Sequence, residues 1–322
     1  MSLTLALSPY HLATREPPAM AALILADHVV TLLPQPAEGS SRKAVGSAVV
    51  ESPHYFRLME SWRWSSPLWT AGVITSGIDH DAPDADLPGV YQSIAEEDDL
   101  ASLRPLTRGA EQRAAESSAK ALDFMAADLL RGGPDPGINI PICAALDRFA
   151  LRHNLCAVRS GISSIAQRAE ARMGRRLFSI AVPILTRAGG GRIQLLRYDL
   201  HAELSALRSA TEDALAAAAE RLSAPTLANR IDALHRAAEI YTAAFTQWAI
   251  QGASGDDENA ERITSGFISL TAVSVPADAI LRSSQAAIRA LVPTGRAQST
   301  EAPPTTDRLL TLVIREMSVS PA

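Results

Sequence analysis

Strand signals sit at the two ends of this chain, and helix signals fill the space between them. Leu3, Leu5 and Leu7 alternate with Thr4, Ala6 and Ser8, the period-two pattern of a short strand closed by Pro9. Far along the sequence, Leu309 to Met317 carries the β-branched, apolar run TLVI and reads as a final strand. Neither segment can bury its apolar face alone. The simplest solution brings both into one sheet covered by the helices that separate them. The expected fold is therefore α+β and helix-dominated, with a small sheet formed by N-terminal and C-terminal strands.

The helices follow from spacing and from stop signals. A helix is expected from about Pro17 to His28, since proline suits a first helical turn. Val29 to Leu33 reads as a second strand or as the tail of that helix. Phe56, Met59, Trp62 and Trp69 fall near one helical face, with a break at Pro67. A long helix is predicted from about Glu111 to Leu130, stopped by Gly132-Gly133-Pro134. Further helices are expected over Ile142–His153, Ile162–Met173, Leu200–Leu222, Ala228–Gln251 and Pro276–Leu291. A strand over Cys156–Val158 and another through Ile268, Leu270, Ala272 and Ser274 complete the reading. The turn Gly133–Gly137 is the best internal boundary. It suggests an α/β part over 1–133, a mainly helical part over 138–292, and a C-terminal strand in 307–322 that returns to the sheet, all of which could form a single domain.

Composition narrows the class. The chain has 322 residues and a formal net charge of −5, with 47% hydrophobic and 20% charged residues, as in an ordinary globular protein. Cys143 and Cys156 are too few for a disulfide framework and read as reduced thiols. The first charge, Arg15, follows the opening apolar run instead of preceding it, which argues against a secretory signal. The uncharged stretch Ile263–Ala277 is too short for a membrane span. A cytoplasmic protein with no membrane association is expected. Only Lys43 and Lys120 are lysines, so 28 of the 30 basic residues are arginine; this pattern, beside abundant alanine, matches a GC-rich genome.

Four constellations could carry function. Tyr10, His11, Arg15 and Glu16 occupy the loop after the first strand, where open α/β sheets place their ligands. Histidine can exchange protons, arginine can clamp an anion and glutamate can act as a base. The bland alternative is that the ring residues pack and the charged pair is solvated. No glycine-rich loop follows this strand, so the sequence does not support nucleotide binding there.

The second constellation is Trp62, Arg63, Trp64 and Trp69, with Glu60 beside them. Tryptophan and arginine anchor interfaces, although core packing of an amphipathic segment uses the same residues. Trp62 and Trp64 cannot both face the core from one regular helix, so one of them needs another partner.

The third is a basic segment, Leu151 to Tyr198, with nine arginines against the single acid Glu170. It carries +8 and leaves −13 for the rest of the chain. Arg168, Arg172 and Arg176 step by four along an expected helix, with Arg175 beside them, and such a face could meet a phosphate backbone. Residues 76–135 hold thirteen acids and five bases, so the two regions could instead compensate each other.

The fourth is the acidic loop Asp79, His80, Asp81, Asp84 and Asp86. Its spacing does not fit an EF-hand, because Asp84 stands where glycine is required. No metal site and no cofactor are expected. SPYHL, followed by LADHVVTLLP and later AGVI, resembles the opening of bacterial proteins that begin with a strand, a tyrosine-containing loop and a helix. The resemblance implies no activity.

The leading expectation is a non-catalytic interaction protein that binds a protein partner or itself through the tryptophan segment. The first alternative is an enzyme with a polar site at Tyr10, His11, Arg15 and Glu16. The second is nucleic-acid binding through the arginines of 152–197.

Overall fold

The computed structural model describes residues 2–8, 11–12, 15, 17–31, 52–77, 104–131, 138, 146, 149–150, 153, 155–160, 175–219, 224–252, 262–275 and 307–316. Seven described strands form one sheet: β1 (Thr4–Leu7), β2 (His28–Thr31), β3 (Ile74–Ser76), β4 (Cys156–Ser160), β5 (Arg175–Thr186), β6 (Arg262–Val275) and β7 (Asp307–Glu316). Their spatial order is β3-β2-β1-β4-β7-β6-β5. The chain is helix-rich α+β, and its first and last described strands share the sheet as the sequence implies, with β4 between them. The sheet is larger than the sequence suggests because β3 and β5 add two unread edges.

Strands β3, β2, β1, β4 and β7 run parallel, with Leu7 opposite Thr31 and Thr31 opposite Ser76. β6 runs antiparallel to both β7 and β5. Pro183 lies within β5. A residue without a backbone donor is tolerated there because β5 is the edge strand, hydrogen-bonded on one side only.

The described helices are α1 (Pro17–Leu25), α2 (Pro53–Ser61), α3 (Ser66–Thr70), α4 (Arg104–Ala114), α5 (Ser118–Arg131), α6 (Gly190–Asp199), α7 (His201–Ala219) and α8 (Ala224–Gly252). A 3₁₀ turn, Arg63–Ser65, precedes α3. The expected long helix over 111–130 is two helices. Ser117 separates them, its hydroxyl accepting from Ala119 N as the start of α5. No described helix is long and apolar enough to cross a membrane.

α1 is the centre of the core. Its sequence PPAMAALIL has no polar residue, and Ala19 to Ile24 are all fully buried. A helix apolar all round has no face for water. α1 touches strands β4, β5 and β7 and helices α6 and α7. Burial leaves the orphan carbonyls of its last turn without solvent. Arg197 of α6 donates to Leu23, Ile24 and Ala26 O through Nη1 and to Asp27 O through Nη2. Arg208 of α7 donates to Leu25 O at 2.8 Å and Ile24 O at 3.1 Å, and its Nη1 lies 3.2 Å from Asp27 Oδ1. Two charged forks thus close the negative end of the buried helix dipole.

α2 and α5 are joined in a similar way. The Ser52 side chain makes no cap bond to α2. Asp123 of α5 replaces it, accepting from His54 N, Tyr55 N and His54 Nδ1.

Candidate functional site

The first three strands fan outward from β1 to β2 and β3, and the chain then returns to place β4 on the other side of β1. This 3-2-1-4 order belongs to doubly wound parallel sheets. Their ligands bind beyond the carboxyl ends of the strands where the order reverses, here between β1 and β4.

Three connections meet on that edge. The first leads from β1 to α1. Ser8 O accepts from His11 N and Leu12 N, and His11 is fully buried and makes further interactions. Arg15 follows with a left-handed backbone, φ 51°. The second is the β2–β3 connection, which carries the tryptophans. The third is the β5–α6 turn, Arg187-Ala188-Gly189-Gly190-Gly191, in which Arg187 is also left-handed, φ 63°. Arg15 and Arg187 are the two non-glycine residues with positive φ among the described residues. Such backbone strain clusters at functional sites.

Trp64 is where the three connections touch. The Arg15 guanidinium lies over its ring, 4.9 Å from the centroid. At Gly190 a Cβ would stand 2.6 Å from the Trp64 carbonyl oxygen, so only glycine lets the start of α6 approach so closely. Burial pushes the Arg15 pKa down, and Arg15 makes no ion pair among the described residues.

The tryptophan segment resolves the conflict that its sequence posed. The helix ends at Ser61, so Trp62 turns wholly into the core while Trp64, half-buried, takes Arg15 as its partner. Trp69 is also buried. Its indole donates to Ser65 Oγ at 3.1 Å, and that hydroxyl donates to Trp62 O at 2.6 Å. The indole nitrogens of Trp62 and Trp64 have no acceptor, and neither does the hydroxyl of Thr31 at the carboxyl end of β2 have a partner. These are the three buried side-chain polar atoms without a partner among the described residues. All lie on the β2–β3 connection or on the strand end that leads into it.

The other expected residues separate from this site or lie outside the described residues. Arg63 is exposed and pairs with Glu60 at 3.1 Å, a surface ion pair of little energetic weight. Tyr10 and Glu16 lie outside the described residues, as do Arg168, Arg172, Cys143 and the loop Asp79, His80, Asp81, Asp84 and Asp86. Arg175 and Arg176 stand on β5. The expectation that Arg168, Arg172 and Arg176 share one helical face is therefore corrected, because a strand begins at Arg175. Arg197 is committed to the carbonyls of α1. Among the described residues, no group of three or more metal-ligating side chains occurs.

Sequence reasoning missed the β5–α6 turn. Its signal was present: an apolar run, then three glycines flanked by arginines, then a helical pattern. Comparisons with protein-family models, with curated proteins and with solved structures give no match. Function must therefore be argued from the site.

Proposed function

We propose that this protein binds a small molecule at the carboxyl edge of its parallel strands. The observation that carries this reading is the convergence of three separate connections on Trp64, one of them the connection that leaves β1. Arg15 and Trp64 are the binding residues in this reading. His11 is buried in the same connection as Arg15. The proposal develops the site expected after the first strand and adds to it two connections remote in sequence.

Thermal unfolding against a panel of metabolites tests it, with wild type beside Arg15→Ala and Trp64→Ala. A compound that raises the wild-type midpoint and loses its effect in both variants is expected. A panel without any stabilising compound, or stabilisation indifferent to both residues, would sink the reading.

A second reading, a surface for a protein partner or a second copy, no longer draws on the tryptophans, two of which are in the core. It draws on Tyr198, Ile250 and Ile240, which are 80%, 70% and 58% exposed. Sedimentation across a concentration series addresses self-association, and a monomer throughout would remove it.

A further inference from the structure

The polar groups left unmatched around Trp64 are mostly donors. Arg15 offers a partly desolvated guanidinium that makes no ion pair among the described residues. Trp64 offers a buried indole N–H that can only donate. The amino end of α6 adds backbone donors. Gly189 O takes Arg192 N and Ile193 N, while the N–H groups of Gly190 and Gly191, ahead of them in the first turn, lie outside the intrahelical ladder. Gly189 and Gly191 have nothing within 4 Å of their Cβ positions, so this end of the helix is open to an incoming group. A buried donor without an acceptor destabilises a fold, and native structures retain very few of them.

We propose that the site takes an oxyanion, a phosphate or carboxylate group, held by Arg15 and the Trp64 indole N–H against the glycine-rich start of α6. This inference rests on the small-molecule reading above and names the chemistry of its ligand. An oxyanion supplies several acceptors at once, matches the charge of Arg15 and suits the positive end of a helix. Arg187, left-handed and exposed, is a second cation on the third connection. The strong orphan groups here are donors, and they favour an anion over a neutral or cationic ligand.

Calorimetric titration of the full chain with inorganic phosphate, and separately with succinate, at constant ionic strength is the test. Saturable binding of at least one anion is expected, and the preferred one separates a phosphoryl from a carboxylate ligand. Arg15→Gln should weaken it by about ten-fold or more, the scale of one charge-assisted hydrogen bond. Trp64→Phe keeps a ring under Arg15 but removes the N–H, and should weaken it several-fold. Arg15→Lys should recover part of the loss. Unfolding midpoints of the unliganded variants separate a binding defect from a folding defect. Absence of saturable binding by wild type, or equal affinity in Arg15→Gln, overturns the inference. If a neutral compound from the metabolite panel still stabilises wild type through Arg15 and Trp64, only the oxyanion assignment falls. If none does, both readings fall together.

Discussion

Arg197, half-buried, and Arg208, buried, show how a side chain can be decisive through the backbone alone. Between them they serve the carbonyls of residues 23–27 at the end of the buried helix α1. Burial pushes the Arg197 pKa down to about 10, with repulsion from Arg208 adding and Asp27 opposing, so the guanidinium stays charged at neutral pH. Arg208→Met should cost about 3 kcal/mol, because it leaves buried carbonyls and Asp27 without their donor. Urea unfolding measures it, and a loss below about 0.5 kcal/mol would show that other groups reach those carbonyls. Tyr241 gives a pH dependence. Its phenol is buried, donates to Pro183 O at 3.4 Å, and has its pKa pushed well up by desolvation, against a smaller lowering by Arg208. Above pH of about 10 the unfolded chain releases this proton and the folded chain keeps it. Stability is therefore whole below that pH and falls as pH rises beyond it. Tyr241→Phe should flatten this alkaline fall while costing about 1 kcal/mol at neutrality. The comparison of the two proteins isolates Tyr241 from every other group titrating there, and parallel alkaline slopes would exclude its role.

Elements were legible where periodicity and local chemistry agree. β1, β6 and β7 follow from alternation and β-branched runs, and α1, α7 and α8 from apolar spacing with proline or alanine. β5 was not legible, because Pro183 interrupts the pattern and nothing local reveals that its strand lies at an edge. The split between α4 and α5 depends on one serine hydroxyl, a signal weaker than the helical spacing around it. For the site, the loop holding His11 and Arg15 was readable from a general rule about strand ends. Its pairing with Trp64 and Gly190 was not, since no local preference links residues 15, 64 and 190. Gly190 and Gly191 provide the test at this scale. Gly190→Ala drives a Cβ into the Trp64 carbonyl and should destabilise by about 1–3 kcal/mol. Gly191→Ala meets open space and should be neutral or slightly stabilising, since alanine favours a helix. Equal effects in thermal unfolding would contradict the close approach.

At the scale of the whole molecule, the last described strand in sequence is an interior strand in space. β7 is paired along one edge with β4 and along the other with β6, and Val313 faces Arg159 on one side and Ser269 on the other. Proline is tolerated in β5 because one edge is unpaired; the same residue in β7 removes a ladder donor. Val313→Pro should therefore cost about 3 kcal/mol or more, and an unchanged urea midpoint would contradict the interior position of β7.

That position also orders events in time. A ribosome releases β1 to β4 early and β5 with β6 later, yet the seam between those two groups stays open until β7 arrives. Until then both β4 and β6 present unsatisfied edges, each a template for a foreign strand. The sheet thus closes only after all six other described strands have been synthesised. Folding slow enough to be rate-limited by that long-range closure, and nascent chains that need shielding in the interval, follow from one strand's place in the order.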